Sequence, residues 1–153
     1  MKKIDIHRFD KRMESTLEIL RSCGVTKRTT VKHPISKGNA EAIIKYGTIR
    51  SLQGKELSTR CTDLYQLLTC ARILDKDFGH CTKEDFISMV ETLDQRYSKW
   101  RASKSRMTFK WFYKWFRQGD NYMDIDIFPT EVAWMRRGMG KRDMVSVQRA
   151  DCW

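Results

Sequence analysis

The stretch 102–117, Ala-Ser-Lys-Ser-Arg-Met-Thr-Phe-Lys-Trp-Phe-Tyr-Lys-Trp-Phe-Arg, leaves this chain few ways to fold. At 100° per residue, Phe109, Phe112, Tyr113 and Phe116 fall within one arc of an α-helix, and Trp111, Trp115 and Thr108 widen that arc to one side. An aromatic face of this width needs cover, so the helix is a core element. Arg106, Lys110, Lys114 and Arg117, spaced four, four and three, share the narrow arc that remains, which predicts one outward basic stripe.

Helical spacing recurs along the chain. Ile6, Phe9, Met13, Leu17 and Leu20 predict an amphipathic helix over 4–22, with Gly24 as its stop. Residues 25–34 lack periodicity and end at Pro34, so they read as a linker that sets this first helix apart. Ala40, Ile43, Ile44, Ile49 and Leu52 suggest a second helix over 39–53, although Gly47 in its middle costs up to about 1 kcal/mol relative to alanine. Gly54 closes it, and Ser58 opens a third helix with Cys61, Leu64, Tyr65, Leu68, Ala71 and Leu74 on one face. Thr82 and Asp85 form a Thr-x-x-Asp variant of the capping box, and Phe86, Met89, Val90 and Leu93 are the buried stripe of the fourth helix that follows, ending near Gln95. Residues 118–128 read as a loop, and Pro129 suits the first position of a short helix through Glu131, Val132, Trp134 and Met135. Gly138 and Gly140 break that helix, and a basic tail follows. The expected architecture is all-α: an N-terminal helix over 1–24, a linker over 25–35, a small helical bundle over 36–136 and a tail over 137–153.

With 153 residues the chain suits one or two small domains, and 41% apolar with 11% aromatic content supplies a core that a disordered chain of this charge would lack. No apolar run approaches the ~20 residues of a membrane span, and no signal peptide follows the first charges, so a soluble cytoplasmic protein is expected. The formal net charge of +11 favours polyanions as partners: DNA, RNA or acidic membrane surfaces. Its distribution is local, because positions 96–117 carry eight basic residues and no acidic one.

The five cysteines (Cys23, Cys61, Cys70, Cys81, Cys152) form no Cys-x-x-Cys pair, and an odd count without a secretion signal predicts reduced thiols. His80 beside Cys81 lacks the paired spacing of tetrahedral zinc sites, so no metal or other cofactor is expected. Nucleophile with base, fixed carboxylate pair and glycine-rich phosphate loop are all missing, and Glu84 with Asp85 is better explained by helix capping. The helical spacing of the aromatics favours core packing over a base-stacking platform. A row of cations on one helix, by contrast, matches the phosphates and the roughly 12 Å major groove of a duplex.

Asp77 and Phe78, then Thr82, Lys83, Glu84 and Asp85, then Tyr97, Ser98 and Trp100, then Lys110, Phe112, Tyr113, Lys114, Trp115, Phe116 and Arg117 follow one another in an order seen elsewhere. In that order they resemble the core-binding domain of archaeal-type tyrosine recombinases and phage integrases. The likeness continues through Pro129, Glu131, Val132, Trp134 and Met135, and more loosely through Leu57, Ser58 and Tyr65 and the opening Asp5, Ile6, His7, Arg8, Phe9 and Asp10. It implies a SAM-like helical bundle that grips one side of a recombination site, joined by an interdomain linker to a separate catalytic domain bearing an arginine, a His-x-x-Arg and a tyrosine nucleophile. His7, His33 and His80 are followed three places on by Asp10, Ser36 and Lys83, so that signature is missing, and 137–153 reads as the start of the linker.

The resulting expectation is a non-catalytic module that binds double-stranded DNA and takes no small-molecule substrate. Arg60, Lys104, Arg106, Lys110, Lys114 and Arg117 are expected to face the phosphates and the major groove. The alternative is a protein-interaction module that regulates the assembly of an intact recombinase, with recombinase protomers as partners. A further possibility is that the chain is a piece of a longer enzyme.

Overall fold

The computed structural model describes residues 8–23 and 34–137, and among these the chain is all-α. It divides into two compact units, Met1–Asp77 and Phe78–Trp153. The boundary falls inside the stretch 36–136 that the sequence groups as one bundle. Periodicity reports that a face is covered, not which core covers it, and here two cores of different character form.

The first unit contains helices α1 (Phe9–Arg21), α2 (Lys37–Leu52) and α3 (Leu57–Leu74). Ser36 caps α2, its Oγ accepting from the Asn39 amide at 3.1 Å, and the Asn39 side chain donates to the Lys76 carbonyl at 2.9 Å, tying the start of α2 to the end of α3. The core is aliphatic, built from Leu20, Ile43, Leu64, Leu67 and Leu68 around Tyr46. Gly47, a cost to α2 taken alone, is explained by the packing: a Cβ there would lie 2.9 Å from Leu64 Cδ2, so glycine lets α2 and α3 approach. The α3 face is wider than expected, since Leu67 and Cys70 are also buried, while Tyr65 is 46% exposed. Ser58 sits inside the first turn of α3, whose N-cap is Glu56.

Helix α1 does not stand apart. It packs on α2 and α3 and buries Leu20. The physical reason is visible at the two ends of the expected linker: Cys23, in a left-handed conformation at φ 56°, offers its carbonyl to the Ile35 amide at 2.8 Å, and Ile35 is buried. That bond returns the chain so that the apolar side of α1 is covered. Gly24 and most of the expected linker lie outside the described residues, as does the tail.

The second unit contains a 3-10 turn at Phe78–His80, α4 (Lys83–Arg96), α5 (Lys99–Gln118), a second 3-10 turn at Tyr122–Asp124, and the short α6 (Thr130–Ala133). The capping box at α4 forms in full: Thr82 Oγ1 accepts from the Asp85 amide at 3.4 Å, and Asp85 Oδ2 accepts from the Thr82 amide at 2.8 Å. The core here is aromatic. Phe78 meets Phe112 edge-on at 5.1 Å and Phe109 at 5.8 Å, and Phe86 meets Tyr113 at 4.8 Å, geometries worth about 0.5–1.5 kcal/mol per pair beyond area burial. Tyr122, in the stretch read as loop, is completely buried, and Val132 and Met135 bury the α6 segment against α4 and α5. Pro129 is the N-cap of α6, one place before the position expected.

Two stability outcomes follow. Thr82→Ala removes the acceptor of the Asp85 amide and is expected to lower the unfolding free energy by about 1 kcal/mol, read as a lower urea midpoint at unchanged slope. The Cys70 thiol, pushed by burial from 9.0 to about 12, keeps its proton in the folded chain while the unfolded chain releases it above its own value. Stability is therefore expected to fall as pH rises through that window, and urea titrations at about pH 8 and about pH 10.5 should show a shallower loss in Cys70→Ala.

Candidate nucleic-acid interface

Helix α5 has three functional sides, and the sequence reading distinguishes only two. Ser98 Oγ accepts from the Arg101 amide at 3.2 Å and so caps the helix at Lys99, three residues before the expected start. Beyond Gln118 the chain turns at Gly119, whose φ of +85° suits glycine, passes the buried Tyr122 and runs as an irregular segment through 125–129 into α6. This return segment lies against α5.

Irregular backbone presents carbonyls that no helix satisfies, and here the basic stripe supplies the donors. Lys114 Nζ donates to the Ile125 carbonyl. Lys110 Nζ donates to Met135 at 2.7 Å, and Arg106 Nε to Arg136 at 2.9 Å. Gln118 adds a bond from Nε2 to Ile127 at 2.6 Å. The Arg106 guanidinium also pairs through Nη1 with Asp94 Oδ1 on α4 at 3.0 Å. Phe128 closes over the lysines, its ring centroid 4.5 Å from Lys110 Nζ and 4.8 Å from Lys114 Nζ, and meets Trp111 edge-on at 4.9 Å.

The expected outward stripe is thereby corrected. Arg106 is 1% exposed and Lys114 2%, and Lys110 is half-buried with its ammonium committed to a carbonyl. Burial, reinforced by the nearby Arg136 charge, holds the Lys110 pKa below its ordinary value. These three cations clamp the return segment instead of pointing outward from the helix. Arg117 is exposed but lies about 140° around the helix from Lys104. Arg60 belongs to the Met1–Asp77 unit, half-buried, with Nε donating to the Lys55 carbonyl at 3.2 Å.

Lys104 is half-buried and lines a groove open to solvent. Trp100, Ser103, Lys104, Met107 and Thr108 follow one another along the third side of α5, and with Lys99 and Arg137 they line an open groove of about 510 Å³. No acidic residue is among its described lining residues. Trp100 is 70% exposed within it, so an indole is presented to solvent between three cations. That combination attracts an anion and offers a flat ring to a sugar or a base. Lys99 enters the sequence reading only as part of the basic run, Trp100 only through the family resemblance, and Arg137 only as tail. The signal that places the first two is Ser98 three residues ahead of Arg101, an N-cap spacing that moves the helix start back to Lys99.

Among the described residues no group of three or more His, Cys, Asp or Glu is placed to hold a metal, and no helix is long and apolar enough to cross a membrane. Comparison with protein-family models, with curated proteins and with solved structures finds no match to this chain.

The clamp and the exposed cations separate in a denaturation experiment. Arg106→Ala leaves Asp94 and the Arg136 carbonyl without their partner and is expected to cost about 3 kcal/mol in urea unfolding. Arg117→Ala, at an exposed position, is expected to stay within about 0.5 kcal/mol of the parent chain.

Proposed function

We propose that this chain is a double-stranded-DNA-binding module of the kind that archaeal-type tyrosine recombinases use as their core-binding domain, gripping DNA in the cytoplasm without cutting it. The observation that carries the reading is the groove on α5, where Lys99, Lys104 and Arg137 surround the exposed Trp100 in a chain of net charge +11. Long cationic side chains around one open groove can contact phosphates, and such contacts supply a large share of the affinity of a DNA-binding surface. The order of residues from Asp77 to Met135, similar to that of the recombinase family, supports site-specific recombination as the setting and a SAM-like bundle as the fold type. The missing His-x-x-Arg supports binding without phosphoryl transfer by these residues.

Within this reading the buried part of the stripe still acts. Lys110 and Lys114 bond neutral carbonyls, so their charges contribute to the long-range field that draws in a polyanion, while contact passes to the groove. Direct base readout is left to Trp100, Ser103 and Lys104, which line the groove.

Gel-shift titrations on duplex DNA at several salt concentrations test the proposal. Log affinity is expected to fall linearly with log salt, by about 0.9 per phosphate neutralised. Changing Lys99, Lys104 and Arg137 together to Glu is expected to weaken binding at least ten-fold and flatten the salt slope, whereas Arg117→Glu leaves most of the affinity. Undiminished binding by the triple variant overturns the assigned surface, and no salt-dependent binding by the parent chain overturns the function.

A further inference from the structure

A second groove lies within the Met1–Asp77 unit, between α1 and α3, and nothing proposed above uses it. It encloses about 600 Å³. Phe9 and Ile19 of α1 and Tyr65 of α3 give it an apolar and aromatic wall, and Arg8, Lys11 and Arg12 stand along its rim. No carboxylate is among its described lining residues.

The charged side chains that line it are of one sign. On α1 the acids Asp10, Glu14 and Glu18 are exposed and none of them is among the described lining residues, although Glu18 lies about 20° around the helix from Lys11. On α3 the nearby acid, Asp63, is turned toward α2, where its Oδ2 lies 3.4 Å from Arg50 Nε. The charged residues among the described lining are thus all cationic. Arg12 is also held over the Phe9 ring at 5.4 Å, which keeps a cation at the lip of the apolar wall. Tyr65, 46% exposed on an otherwise buried helix, pairs an apolar ring with a polar tip in the manner of an interface anchor.

We infer that this groove is a docking site for an acidic amphipathic helix from a partner protein, its apolar side chains on Phe9, Ile19 and Tyr65 and its carboxylates on Arg8, Lys11 and Arg12. The complementarity decides between classes of partner. The convex phosphate backbone of a duplex meets the rim but leaves the apolar wall unused, whereas a helix with acidic flanks and an apolar stripe satisfies both. The volume lies in the range of about 300–1,000 Å³ that accepts a few large side chains. This site stands independently of the DNA-binding groove on α5.

The test uses the full chain and a fluorescein-labelled peptide of about sixteen residues with leucine at i, i+3, i+4 and i+7 and glutamate elsewhere, against a shuffled peptide of the same composition. Fluorescence anisotropy is expected to show the patterned peptide binding at least ten-fold tighter than the shuffled one. Tyr65→Ala and Arg12→Glu are each expected to remove about ten-fold in affinity, and Lys99→Glu to change it little. Ser15→Trp, at an exposed position on α1, fills the groove without touching the core and is expected to block the peptide even if Tyr65→Ala unfolds, with circular dichroism checking each variant. Equal binding of the two peptides, or binding indifferent to Ser15→Trp, overturns the inference. So does a single-stranded oligonucleotide that binds in a Ser15→Trp-sensitive way where the peptide does not, or peptide binding that appears only after residues 1–7 are deleted, which would assign the groove to the chain's own N-terminus.

Discussion

The return segment that follows α5 carries carbonyls at Ile125, Ile127, Met135 and Arg136 that no regular element satisfies, and its position depends on donors reaching across from the helix. Lys114, Gln118, Lys110 and Arg106 provide them over three turns of α5. An arginine 1% exposed and a lysine 2% exposed are tolerated because each head group is bonded, and Arg106 adds a carboxylate partner on α4. Without this clamp, Val132 and Met135 lose what holds them against α4 and α5, and Phe128 what holds it on Trp111. The 3-10 turn that buries Tyr122 begins the same return path. Four long side chains therefore fix the course of the chain from Gly119 to Arg137.

The clamp also determines where an anion can be met. A cation bonded to a carbonyl keeps its charge but loses its reach, so the stripe contributes field without contact. The open groove on α5 follows the line from Trp100 to Thr108, with Lys99, Lys104 and Arg137 also lining it. One helix thus packs a core with its aromatic side, anchors a neighbouring segment with its basic side and offers the third side as the proposed interface. In the Met1–Asp77 unit the described lining of the groove beside α1 likewise holds bases of that helix and none of its acids.

Helix content, the capping box at Thr82, the aromatic face of α5 and the closing of α2 at Gly54 were all legible in the chain, because each rests on interactions within a few residues of one another. The start of α5 was missed although a local signal existed, Ser98 ahead of Arg101. Gly47 could be read only as a cost until α3 was seen to lie against it, with Leu64 Cδ2 occupying the space that a Cβ would take. The docking of α1 was not legible, since it rests on a bond from Ile35 to Cys23 across the expected linker.

The sequence by itself determined that this chain is helical, that Phe109, Phe112 and Tyr113 lie inside, and that the cations of α5 line up along one side. Helical periodicity and the hydrophobic effect are enough for that. Only the tertiary structure decided which of those cations meet solvent. A polar arc on a helix is exposed unless another segment covers it, and whether a distant, irregular segment needs its donors is a question of where backbone carbonyls end up, which no local pattern encodes.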